Sequence, residues 1–194
     1  MGSTAGILGA VVAGSLLMSY GLAMAARRLG LVDAGNHRTV HGTPTPRIGG
    51  VAVMLAFIAG CVAVGATGPP GSPSPWMLAL VAGSFVIGAV GLIDDLRGLP
   101  PAPRILVQVI VALMFVVVSG GVRLPHLPGP GAGRLMAAGL GVGAVCWIVG
   151  VTNAVNLIDG LDGLAIGTVM PILGGIALVA WRAGRPVEAI VATV

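Results

Sequence analysis

Long apolar runs alternate with short polar breaks along the whole chain. Runs near membrane-spanning length fall at roughly 5–26, 48–67, 76–93, 104–121, 134–152 and 164–181, each bounded by Pro, Gly or charge. A helix of about 20 mostly apolar residues crosses the hydrocarbon core of a bilayer, so the pattern predicts six complete spans. A last apolar stretch, 187–194, is too short to cross and reads as the start of a seventh. Small residues such as Gly139, Gly141, Gly143 and Ala144 let helices approach closely in lipid. The expected fold class is all-α: a polytopic transmembrane helix bundle forming a single domain over 1–194. A helix end left in hydrocarbon has unsatisfied backbone groups, so this stretch is expected to be the N-terminal half of a longer protein.

Composition narrows the picture. The chain is 56% hydrophobic and 8% charged, whereas soluble domains carry about 25% charged residues. All positive side chains are arginine, the formal net charge is +4, and no basic run suits nucleic acid. Cys61 and Cys146 each sit inside an apolar run, with neither disulfide nor zinc spacing. Ala23-Met24-Ala25 resembles a signal-peptide cleavage site, but no positive segment precedes it and Arg27-Arg28 follows it. A first transmembrane helix with its C-terminal end inside fits better.

Counting crossings sorts the loops. One side receives 27–47, 94–103 and 153–163; the other receives 68–75, 122–133 and 182–186. The first side holds Arg27, Arg28, Arg38, Arg47, Arg97 and Arg104, against Arg123, Arg134, Arg182 and Arg185 on the second. That bias makes the first side cytoplasmic, in a multi-pass plasma-membrane protein. Asp33, Asp94, Asp95, Asp159 and Asp162 all fall there too, and only Glu188 does not. The second-side loops, such as Pro69-Pro70-Gly71-Ser72-Pro73, read as plain connectors, and His126 lies in one of them.

Three clusters on the first side have chemical potential. Asp94-Asp95 follows the run Phe85–Ile93. Adjacent carboxylates at a span end repel, and a divalent cation held by hard oxygens would offset that. The competing reading is a helix end reaching water with Arg97 as counter-ion. Asn153, Asn156, Asp159 and Asp162 recur every third residue, so on a helix they share one broad face, with Gly160 and Gly163 clearing space beside it. Helix capping would need one such residue rather than four. The loop 33–50 carries Arg38, His41 and Arg47 among prolines and glycines. It suits phosphate, or anionic lipid headgroups. Arg104 is either a counter-ion for the acidic pair or a phosphate ligand.

Together these segments resemble the polyprenyl-phosphate N-acetylhexosamine-1-phosphate transferases. The resemblance rests on Asn36-His-Arg38 through His41 to Pro44-Thr-Pro46-Arg47-Ile-Gly49-Gly50, on Asp94-Asp95-Leu with Arg104 beyond, and on Asn153-Ala-Val-Asn156-Leu-Ile-Asp159-Gly160-Leu-Asp162-Gly163-Leu-Ala. Pro46-Arg47-Ile and Ile158 resemble the N-acetylglucosamine branch rather than the peptidoglycan branch. The match covers nearly the whole chain but only the N-terminal part of the family's length. A later Asp-containing loop and a His-rich loop of the family lie beyond it. Thr39 and Arg104 stand where the family often has Lys, and Arg cannot give up a proton, which puts any acid–base role at Arg104 in doubt.

The resemblance implies an enzyme that moves N-acetylglucosamine-1-phosphate from a UDP-sugar to polyprenyl phosphate at the cytoplasmic face, releasing UMP, in cell-envelope polysaccharide synthesis. It implies Mg²⁺, with Mn²⁺ as a substitute, and admits a homodimer. It assigns Asp94, Asp95 and Asp159 to catalysis, and Asn156, Asp159, Asp94 and Asp95 to the metal. Arg38, His41, Arg47, Arg104, Asn153 and Asp162 are assigned to the substrates. The alternatives are the phospho-N-acetylmuramoyl-pentapeptide transferase branch, an inactive truncated fragment, and a transporter using intramembrane acids. A transporter predicts acids near mid-span, whereas these lie at span ends. Aspartate-rich prenyltransferases want a third Asp where Gly98 stands. CDP-alcohol phosphotransferases want later Asp residues, and none follows Asp162.

Overall fold

The computed structural model describes residues 13, 14, 17, 20, 21, 24, 25, 28, 32, 33, 45, 46, 49–67, 73–121, 130–159 and 164–193. The described residues between 13 and 28 are helical, and the rest of the expected first span lies outside the described residues. A two-residue strand β1, Val32–Asp33, pairs antiparallel with β2, Thr45–Pro46, with Asp33 opposite Thr45. Six described helices follow. They are α1 Gly49–Thr67, α2 Pro75–Arg97, α3 Pro101–Val118, α4 Pro130–Ile158, α5 Leu164–Arg182 and α6 Pro186–Val191. The minimal strand pair apart, the described chain is helical, as the hydrophobic runs predict.

Four of these helices, α2, α3, α4 from Gly133 and α5, are long and apolar enough to cross a bilayer. The expected second span is helical as α1, 19 residues long. Trp147, Leu135 and Leu157 are exposed by 74%, 80% and 83%. Side chains this apolar on an outer surface are explained by lipid as the solvent.

Local chemistry sets the helix ends. Proline opens α2 and α3, where its missing N–H leaves nothing unpaired. Glycine closes α2, since Gly98 sits at φ 67° and its N–H donates to the Asp94 carbonyl at 2.7 Å. At the end of α3, Gly121 N–H donates to Val116 O and Gly120 N–H to Val117 O, the paired bonds of a left-handed glycine cap. The hydrophobic pattern ends the corresponding spans at 93 and 152, but α2 continues through Arg97 and α4 through Ile158. The reason is that neither 94–97 nor 153–158 contains Gly or Pro, so the backbone has no cause to leave the helix within them. Asp94, Asp95, Asn153 and Asn156 therefore lie on helices rather than in loops. At 29 residues, α4 is about 43 Å long, longer than the hydrocarbon core of about 30 Å.

The chain forms two compact units: Pro75–Ala154, and Met1–Ser74 with Val155–Val194. In the second, α6 packs on α5 and against α1. Ala56, Cys61, Val64, Ala165, Ala180, Ala189 and Val191 are its buried apolar residues. In the first, α2 and α3 form a hairpin over residues 98–100. Among the described residues its core is Met77, Ala79, Gly83, Val111 and Ala112, with Gly83 at close approach. A Cβ built on Gly83 would stand 2.8 Å from Val111 Cγ1, so an alanine there must displace a β-branched side chain with little rotamer freedom. An apolar recess beside that contact is lined by Leu80, Ile87, Ala112, Phe115 and, from α4, Ile148.

Candidate functional site

Four polar side chains of the unit Pro75–Ala154 bond across its helices in two pairs, Arg104 with Asp94 and Asn153 with Gln108. Asp94, in the last turn of α2, uses both carboxylate oxygens. Oδ1 accepts the Leu99 N–H at 2.7 Å, and Oδ2 accepts Arg104 Nη1 at 2.6 Å. The carboxylate thus ties the hairpin turn to the first turn of α3. The two side chains are 18% and 25% exposed, so the pair is shielded enough to be stronger than a surface ion pair. Arg104 Nε is buried with no hydrogen-bond partner. Arg104 is therefore the counter-ion of Asp94, one of the two roles its spacing allows. Asp95, one residue on, is exposed. Successive residues on a helix point about 100° apart, so the acidic pair divides into one inward and one outward carboxylate. Arg97 is also exposed.

One turn beyond Arg104, α3 presents Gln108, the only buried polar residue among those described. Its Oε1 accepts Asn153 Nδ2 from α4 at 2.5 Å, and the same Nδ2 donates to Val149 O at 2.8 Å. Thr152 Oγ1 bonds back to Ile148 O at 2.8 Å. One face of α3 thus grips α2 through Arg104 and α4 through Gln108. Interhelical polar bonds of this kind contribute about 0.6 to 2 kcal/mol in lipid. The motif resemblance places Asn153 among the substrate-binding residues, and nothing in it singles out Gln108. The signal for Gln108 is an uncharged amide inside Leu106-Val-Gln-Val-Ile110, four residues after Arg104. An unpartnered amide in a span is unfavourable, so such a residue calls for a partner.

In the other unit, Asn156 lies in the last turn of α4. The Asp159 N–H still bonds the Val155 carbonyl at 3.1 Å, and both side chains are exposed. Asp162 lies outside the described residues, as do Arg38, His41 and Arg47. Among the described residues, no three of His, Cys, Asp and Glu gather as a metal cluster. Asp95 in one unit, and Asn156 and Asp159 in the other, each expose hard-oxygen donors. That chemistry fits magnesium, which is typically held by one or two carboxylates with waters and substrate phosphates completing the shell.

The family profile described as glycosyl transferase family 4 matches residues 77–194, more than half of the chain. The chain belongs to glycosyl transferase family 4. It is 36% identical over 162 residues to a probable undecaprenyl-phosphate N-acetylglucosaminyl 1-phosphate transferase of Bacillus subtilis, covering 82% of this chain and 43% of that protein. It is 35% identical over 155 residues to the decaprenyl-phosphate N-acetylglucosaminephosphotransferase of Mycobacterium tuberculosis, covering 74% and 37%. It is 34% identical over 161 residues to the phospho-N-acetylmuramoyl-pentapeptide-transferase of Geobacillus thermodenitrificans, covering 77% and 48%. The chain thus spans less than half the length of these relatives. No solved structure gives a significant match. Membership in this family agrees with the resemblance read from the motifs, and the four helices long and apolar enough to cross a bilayer agree with a membrane protein.

Proposed function

We propose that the protein carrying this chain transfers N-acetylglucosamine-1-phosphate from UDP-N-acetylglucosamine to polyprenyl phosphate, releasing UMP at the cytoplasmic face of a six-span or larger bundle. One observation carries the reading: Asn156 and Asp159 are exposed at the end of α4, inside the family-matched segment. The acceptor's tail needs the bilayer and the nucleotide sugar needs water, so a span end is where they meet.

The lipid phosphate oxygen attacks the β-phosphorus of the donor, and the bond to the UMP oxygen breaks. Such transfers need in-line positioning and charge neutralisation more than covalent help from the protein. Asp95, Asn156 and Asp159 would hold Mg²⁺, which when bound neutralises pyrophosphate charge. Asp94, with both oxygens bonded, orients Arg104, and Asp95 is the more exposed carboxylate of the pair. Arg38, His41 and Arg47 would hold phosphate, and Asp162 the nucleotide sugar; Asn153, whose amide nitrogen donates to Gln108 and Val149, would offer its carbonyl oxygen. The convergence of these segments on one membrane face comes from the counting of crossings in the sequence.

The N-acetylmuramoyl-pentapeptide branch is the second reading, favoured by the 34% identical Geobacillus relative. Pro46-Arg47-Ile and Ile158 favour N-acetylglucosamine. Membranes containing the protein, expressed from its natural reading frame, should release labelled UMP from UDP-N-acetylglucosamine when polyprenyl phosphate and magnesium are supplied. Release only from UDP-N-acetylmuramoyl-pentapeptide would move the protein to the other branch.

A further inference from the structure

We propose that Gln108 is a positioning residue for this transfer. By accepting the Asn153 amide between α3 and α4, it fixes the rotation of the end of α4 and hence the presentation of Asn156 and Asp159. The inference rests on the reaction proposed above.

Gln108 is 7% exposed and lies among apolar residues, with Val111 and Ala112 buried on the next turn of its helix. A carboxamide held out of water must find a partner, and Oε1 finds the Asn153 amide at 2.5 Å. Asn153 is itself held by its bond to Val149 O, so its side chain is aimed rather than free to swing. On the other side, α3 is fixed to the α2 hairpin through Arg104 and Asp94. The Gln108 bond therefore references α4 to an already anchored helix.

Apolar contacts alone do not supply this reference. Small and branched side chains in lipid allow a helix to rotate or slide with little change in contact, whereas a buried polar pair has one register. The consequence lies one and two turns on. α4 runs unbroken to Ile158, and Asp159 N–H continues the ladder to Val155 O. Asn156 and Asp159 follow Asn153 at three and six residues, on one broad face of the helix. A rotation of α4 by about 20° would move a side-chain oxygen about 2 Å sideways, given a helix radius with side chains of about 5–6 Å. Misplacement of about 1 Å is enough to slow a positioned reaction by about 10²-fold.

The test uses Gln108→Met, which keeps length and volume without the acceptor, and Gln108→Asn, which stays polar but is one methylene too short. Each is made in the protein expressed from its natural reading frame. Turnover per folded molecule should fall about tenfold or more, with the KM for UDP-N-acetylglucosamine within about twofold. Gly83→Ala serves as the control for a purely structural effect. It disturbs the α2–α3 contact and lowers the thermal midpoint, but leaves turnover per folded molecule unchanged. If both Gln108 variants only reduce the amount of folded protein, at wild-type turnover, the proposal is overturned.

A second readout needs no activity. In a Cys146→Ala background, Asn156→Cys is labelled with a water-soluble maleimide, with and without Gln108→Met. The labelling rate should change about threefold or more, since rotating the helix end changes the exposure of that position. An unchanged rate overturns the proposal. If the parent protein releases no UMP at all, the function proposed above fails while the labelling still decides the role of Gln108.

Discussion

Asp159→Asn is expected to lower turnover by about 10²–10³-fold, the range seen when one preorganised electrostatic contact to a developing charge is removed. The substitution keeps size but deletes the charge and turns one accepting oxygen into a donor. Asp159 is exposed, and its backbone N–H, not its side chain, continues the helix to Val155. Removing the charge should therefore leave folding and membrane insertion unchanged. The loss should fall mainly on kcat, because the proposed role puts the carboxylate on the metal–pyrophosphate unit whose charge would develop during transfer. Raising magnesium should recover part of it. Steady-state UMP release over a magnesium titration, normalised to folded protein, measures this; wild-type turnover in the variant would remove Asp159 from the site.

Arg104→Met is expected to destabilise the α2–α3 hairpin by about 1.5–3 kcal/mol, the range for losing a hydrogen bond to a charged group. Asp94 is 18% exposed, and Arg104 at 2.6 Å is the cation facing it. Without that partner the carboxylate keeps only the Leu99 N–H and sits in a poorly solvated position. Arg104→Lys retains the charge and should lose much less. The Arg185–Glu188 pair makes the comparison sharp. It spans 3.3 Å with side chains 68% and 33% exposed, so Arg185→Ala should change stability by about 0.5 kcal/mol or less. Thermal unfolding in detergent for the three variants checks the ranking. Equal losses for Arg104→Met and Arg185→Ala would show that the shielding of the inner pair carries no energy.

The parts of this protein that follow from local rules are legible in its residues alone. Apolar runs of spanning length predict α2 to α5, and Pro75, Gly98 and Pro101 mark the hairpin ends. The ten-residue step from Asp94 to Arg104 is readable as a possible ion pair, because a short turn brings the end of one helix to the start of the next. Helix termini are less legible. Polar Asp94 and Asn153 look like the edge of a loop, yet a membrane helix continues into the interface until Gly or Pro stops it. Gln108 is legible only in part: an amide inside an apolar run calls for a partner, but the partner, Asn153, stands 45 residues away. A long-range bond of that kind leaves no periodic trace. Arg38, His41, Arg47 and Asp162 follow from motif chemistry and lie outside the described residues.

A shared catalytic surface requires above all that Asp95 and Asp159 face the same compartment. Substituted-cysteine labelling measures this directly, with Arg97→Cys, Leu161→Cys and Ser72→Cys made singly in a background lacking Cys61 and Cys146. In intact cells, a membrane-impermeant maleimide should label only the Ser72→Cys protein, and the Arg97→Cys and Leu161→Cys proteins only after permeabilisation. Labelling of positions 97 and 161 from opposite sides of the membrane would contradict the account, because no metal or phosphate could then be shared between them.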